Sequence, residues 1–86
     1  MRRRDIQQRV DDILGIVLID KSEIREDATL KDLELEDFEI EDLLDRLEFE
    51  FSIIFPQRIK DRIYKAPEHL TLGILVDVIL VLTEND

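Results

Sequence analysis

The sequence predicts an all-α fold: a four-helix bundle with three long helices, one short helix and a long first loop. Three observations carry that expectation. Apolar residues recur at helical spacing in four separate stretches of the chain. Hydrophobic residues make up 44% of the 86 positions and only 2 Gly and 2 Pro interrupt them, which argues for a folded helical domain against a disordered chain. The β-branched stretch near the C-terminus has no second strand candidate to pair with, so it too reads as helix.

Ile6, Val10, Ile13, Leu14 and Val17 place the first helix at about Arg4 to Leu18. Asp5 suits the positive end of its dipole, while the arginines there oppose it slightly. The stretch from Ile19 to Leu35 has no sustained period. Within it, Ser22 of Asp20-Lys21-Ser22-Glu23 is placed to cap a single turn, and Ile24, Leu30, Leu33 and Leu35 are available to pin the connection to the core. Loops this long are uncommon in compact domains and are often functional.

The second helix, Glu36 to Phe51, is the clearest element. At about 100° per residue with Asp37 as zero, Leu43, Leu47, Ile40, Phe51 and Leu44 fall between about 240° and 340°, the arc expected to face the core. Asp37, Glu48, Glu41 and Asp45 fall between about 0° and 80°, an acidic stripe beside that arc. Phe38 and Phe49 land near 100° and 120°, on the outward side, about three turns apart. Pro56 ends the stretch, because the residue before a proline avoids helical backbone. The short third helix, Gln57 to Tyr64, takes one apolar side from Ile59 and Ile63; it is basic, with Arg58, Lys60, Arg62 and Lys65 set against Asp61. Ala66-Pro67-Glu68 breaks it. Thr71 is the expected N-cap of the last helix, which runs to about Leu82. No repeat or linker divides the chain, so residues 1–86 read as a single domain.

Charge narrows the partners. With 12 Lys plus Arg against 22 Asp plus Glu, the net charge is −10, which opposes binding to a phosphate backbone and favours basic protein surfaces. The absence of cysteine excludes a disulfide framework, a Cys-based zinc site and a thiol nucleophile, and it suits a reducing compartment. Met1-Arg2-Arg3-Arg4 is not followed by the apolar run a signal peptide needs. Leu72 to Leu82 is the most apolar stretch, but it carries Asp77 and falls far short of the roughly 20 residues of a membrane span. The expectation is a cytoplasmic protein with no membrane span and no nucleic-acid partner.

Catalysis has little to work with. Ser22 and Ser52 are the only serines, and His69, the only histidine, sits by Pro67 where it reads as a loop or cap residue. Glu36, Asp37, Glu39, Glu41 and Asp42 are rich in oxygen ligands, yet they alternate with Phe38 and Ile40 on a helix. No Gly lies between Gly15 and Gly73 to turn a calcium loop. The sequence therefore predicts no enzyme, no catalytic residues and no metal site.

The acidic helix carries the strongest functional signal. From Glu34 to Glu50 there are nine acids and one base, Arg46. Asp37, Glu41 and Asp45 repeat at i,i+4, and each such like-charge pair costs an isolated helix a few tenths of a kcal/mol. A solvated surface is the ordinary meaning of such a run. Here the acids concentrate beside one face and two phenylalanines sit among them, as in an interface core with a charged rim. The candidate partner-binding residues are Glu36, Asp37, Phe38, Glu41, Asp42, Asp45, Glu48 and Phe49.

Asp32-Leu33-Glu34-Leu35-Glu36-Asp37-Phe38, followed by Leu43, Leu47, Glu48, Glu50, Phe51 and Phe55-Pro56, resembles an acyl carrier protein. That family opens its second helix with Asp-Leu-Gly-x-Asp-Ser-Leu and ends it with Leu-Glu-Glu-Glu-Phe and a short loop carrying Ile-Pro. Arg9-Val10, Ile13-Leu14-Gly15, Ala28-Thr29-Leu30 and Thr71 extend the likeness over about residues 5 to 82. The resemblance implies an acyl-carrier-protein-like fold and partners among acyl-processing enzymes of fatty-acid or related biosynthesis. It also implies a departure. The family's serine carries 4′-phosphopantetheine, and the matching position here is Asp37, whose carboxylate cannot form that phosphodiester as a hydroxyl does. Glu34 stands where the motif has glycine, and the third helix is basic where relatives often have an acidic one.

The leading expectation is thus a non-catalytic carrier-like module, without the prosthetic group, that docks on basic partners through its second helix. The alternatives are a working acyl carrier, modified elsewhere or derived from a parent with serine at 37, and an acidic mimic that occupies the site of a nucleic-acid-binding protein. The last helix adds one expectation. Ile74, Val78 and Val81 lie off its Leu72, Leu75, Val76, Ile79 stripe, so that second face either packs under the first loop or makes a homodimer or partner contact.

Overall fold

Each helix turns most of the side chains that its spacing selects into the core. The structure, a computed structural model, describes residues 2–18 and 24–84. Four α-helices are present among them: α1 (Arg3–Val17), α2 (Asp37–Phe51), α3 (Gln57–Lys65) and α4 (Leu72–Glu84), with a 3₁₀ turn at Pro67–His69 where a break was expected. All four lie within two residues of the expected bounds, ordinary for fraying ends. The turn expected around Ser22 lies outside the described residues. The fold among the described residues is all-helical.

One apolar core joins every helix. Ile6, Val10 and Leu14 of α1, five residues of α2, Ile63 of α3, and Leu72, Leu75, Val76 and Ile79 of α4 are buried together. α1 packs against both α2 and α4. Its Ile13 and Val17, expected in the core, are only partly buried. The loop before α2 is pinned as expected by Leu30 and Leu33, with Ile24 and Leu35 half-buried, and Ala28 joins them.

That loop also completes the start of α4. The first backbone N–H groups of a helix have no partner within it. Here Leu72 N–H donates to Ala28 O at 2.9 Å and Gly73 N–H to Glu26 O at 3.0 Å. Ile74 N–H donates to Thr71 Oγ1 at 3.1 Å, which makes Thr71 the N-cap. Leu30 N–H reaches Leu70 O at 2.8 Å, and Thr29 and Thr71 form an isolated antiparallel bridge. Arg3 ties the same junction: its guanidinium bonds Asp77 at 2.7 Å, Glu26, and Gly73 O at 3.3 Å. A Cβ at Gly73 would lie 2.9 Å from Glu26 Cγ, so a larger residue there requires the Glu26 side chain to shift.

Two non-glycine residues take left-handed backbone, Glu34 (φ 53) and Ser52 (φ 54). Glu34 ends a small turn locked by Thr29 and Asp32, which exchange backbone-to-side-chain hydrogen bonds at 3.0 Å each. The Thr29 amide and then its hydroxyl hold the Asp32 carboxyl below its ordinary value. Ser52 closes α2: Ile53 N–H bonds Glu48 O at 3.1 Å, five residues back, the pattern a left-handed residue after a helix permits.

A side chain in left-handed backbone costs roughly 1–2 kcal/mol relative to glycine, part of it offset by glycine's freer unfolded chain. Ser52→Gly and Glu34→Gly are each expected to raise the unfolding free energy by roughly 0.5–1 kcal/mol in urea denaturation. A loss of stability in both would contradict this reading of the turns.

Candidate functional site

Because α2 turns Ile40, Leu43, Leu44, Leu47 and Phe51 into the core, the rest of its circumference is left outside. Glu36 is its exposed N-cap residue, whose N–H donates to Glu39 Oε1 at 3.1 Å. Asp37, Phe38, Glu41, Asp42, Asp45 and Phe49 are all exposed. Phe38 is 67% and Phe49 89% accessible, so neither contributes much to the core. They stand about 16 Å apart along the axis, on one side of the helix.

The charges along this side of the helix differ in their pairing. Asp42 is paired with Arg46 at 3.0 Å, and Glu50 with Arg9 of α1 at 3.4 Å. Asp37, Glu41 and Asp45 have no ion pair among the described residues and form a row at i,i+4. Tyr64 of α3 lies beside that row. Burial first, then the charges of Glu41, Asp37 and Asp45, push its phenol above the ordinary value.

Glu48 is placed differently from its neighbours. Its side chain is 18% accessible. One carboxylate oxygen accepts the Phe55 N–H at 2.8 Å and lies 3.6 Å from Lys60 Nζ. Its charge is used within the chain, holding the turn between α2 and α3, so among the eight candidates it is the one the structure does not present outward. The sequence signal was available: a lysine follows on the next helix, and Phe55, before a proline, needs an acceptor for its amide.

One part of the surface escaped the sequence analysis. Ile13 and Ile16 of α1 stand beside Phe49, and with Asp45, Arg46 and Glu50 they line a cleft of about 370 Å³. Ile16 is 65% accessible. It sits about 120° round α1 from the centre of the buried arc, and an apolar residue that far off the stripe was the overlooked signal.

A second apolar strip runs along α4. Ile74 and Val81 are exposed, and with Ile59, Asp77, Val78 and Leu82 they line a groove of about 250 Å³ between α3 and α4. The first loop reaches only the start of α4, so among the described residues it does not cover this strip as the packing alternative expected. The homodimer or partner contact therefore stays a proposal for that face. His69 is exposed, 3.9 Å from a Glu68 carboxylate oxygen. Among the described residues no group of three or more His, Asp or Glu side chains is placed to hold a metal ion, and no helix is long and apolar enough to cross a membrane.

Compared with protein-family models, with curated proteins and with solved structures, the chain matches none of them.

Three outcomes follow from the internal geometry. Glu48→Ala leaves the Phe55 amide without its acceptor and is expected to cost about 1–3 kcal/mol in chemical denaturation. Asp45→Ala, which removes only a repelled surface charge, stays within about 0.5 kcal/mol. Since Tyr64 is the only tyrosine, its absorbance at alkaline pH reports its titration alone. Neutralising the row with D37N, E41Q and D45N together lowers its pKa toward the ordinary tyrosine value; an unchanged titration would place α3 away from the row.

Proposed function

We propose that the chain is an acyl-carrier-like, non-catalytic module that docks on basic protein surfaces, acyl-processing enzymes among them, through the outward face of α2. The observation that carries this reading is the row Asp37, Glu41 and Asp45, without ion pairs among the described residues and bracketed by two exposed phenylalanines. A solvated face needs no aromatic at either end, and a folded helix gains nothing from unpaired like charges at i,i+4. Docking gives both a use. The acids steer a cationic partner and fix its orientation, and the phenylalanines supply apolar contact once it arrives.

The carrier-like part of the reading rests on the sequence motif and on Glu34. The motif has glycine at that position, and Glu34 holds the left-handed backbone that glycine favours. Asp37, at the position of the family's modified serine, is the first residue of α2 and exposed. In this reading it carries no 4′-phosphopantetheine, and its carboxylate instead heads the acidic row.

The test uses coenzyme A and a broad-specificity phosphopantetheinyl transferase, with intact mass as the readout. Asp37→Ser gains one phosphopantetheine group and the unaltered chain gains none. Loading of Asp37→Ser slows at least about tenfold when Glu41→Lys is added, and slows as salt rises. Modification of the unaltered chain would make it a carrier with a displaced attachment point, and failure of Asp37→Ser to load would remove the carrier-like reading.

A further inference from the structure

We infer that the cleft between α1 and α2 is the anchor point of the docking surface, and that it receives a large apolar side chain from an amphipathic, cationic helix of the partner. The inference rests on the docking function proposed above and adds what that function leaves open: which residues hold the partner, and what shape of partner fits.

Three observations converge. The cleft has an apolar side made by Phe49 from α2 and Ile13 and Ile16 from α1, with Asp45, Arg46 and Glu50 at its edge. An aromatic and two branched aliphatic side chains from two helices make a concave site. Charge then selects the occupant. Among the described residues Arg46 is paired with Asp42 and Arg9 with Glu50, each within the chain. Asp45 on the rim has no ion pair among the described residues, and it continues the row of Glu41 and Asp37 toward the start of α2. A visiting segment therefore meets negative charge along one line and apolar surface at its end.

A helix laid along α2 fits that pattern. Lysines or arginines one turn apart would match the i,i+4 row, and an apolar residue in the following turn would enter the cleft. The row and the cleft lie at defined ends of α2, so the partner helix binds in one direction only.

The test uses two fluorescent synthetic peptides of identical leucine and lysine composition. One places the leucines on a single helical face, and the other disperses them round the helix. The chain is expected to bind the first more tightly. Ile16→Ser, at an exposed position, weakens that binding about fivefold or more and brings it to the level of the dispersed peptide. Methyl resonances of Ile13 and Ile16 shift on addition of the first peptide, and those of Ile74 do not. Equal affinity for the two peptides, no effect of Ile16→Ser, or shifts confined to Ile74 and Val81 overturns the inference. The two readings separate cleanly. If D37N/E41Q/D45N weakens both peptides while Ile16→Ser weakens neither, docking through α2 stands and the cleft does not; if the triple variant also changes nothing, both fall.

Discussion

Five apolar side chains on one arc of α2 are buried, and their placement governs what the rest of the helix can do. Ile40, Leu43, Leu44, Leu47 and Phe51 lie in the common core with the α1 residues Ile6, Val10 and Leu14. Burying each such side chain contributes about 1.5–3 kcal/mol before the cost of ordering the chain, so no other rotation of α2 competes. With the arc fixed, Asp37, Glu41 and Asp45 are held in a line beside it, and Phe38 and Phe49 are held outside. The surface chemistry of α2 is thus a consequence of its core register.

The same core leaves α4 dependent on the loop that precedes α2. Backbone carbonyls of Glu26 and Ala28 take up amide groups at the start of α4, Thr71 caps the next one, and Arg3 ties α1, the loop and α4 at one point. This gives the described part of the connection a structural role: it serves as the N-terminal cap of a helix about forty residues further on. It also separates two roles. The loop and Arg3 assemble the fold, whereas the outward side of α2 has little part in it.

Much of this was legible in the sequence, for identifiable reasons. The α2 arc, the outward phenylalanines and the Thr71 cap follow from helical period and cap chemistry, which are local. What escaped was set by contacts between elements. Glu48 reads as one more acid of the stripe until the turn brings the Phe55 amide and Lys60 to it. Ile16 reads as a stray apolar residue until α1 packs beside Phe49. Of the two alternatives for Ile74 and Val81, the loop cover is not supplied by the described residues, whose backbone pairs with the start of α4. The left-handed backbone at Glu34 has no local signal, since glutamate does not favour that conformation.

The central claim is that the aromatic side of α2 is free of any duty in folding. The direct measurement is the unfolding free energy of a Phe38→Ser/Phe49→Ser variant, with Phe51→Ala as the internal comparison. Serine and phenylalanine have similar helix propensity, and little of either exposed ring is buried. The account predicts a loss below about 1 kcal/mol for the double variant and about 3–5 kcal/mol for Phe51→Ala. A double-variant loss as large as that of Phe51→Ala would make the two phenylalanines part of the core and remove the argument for a docking face.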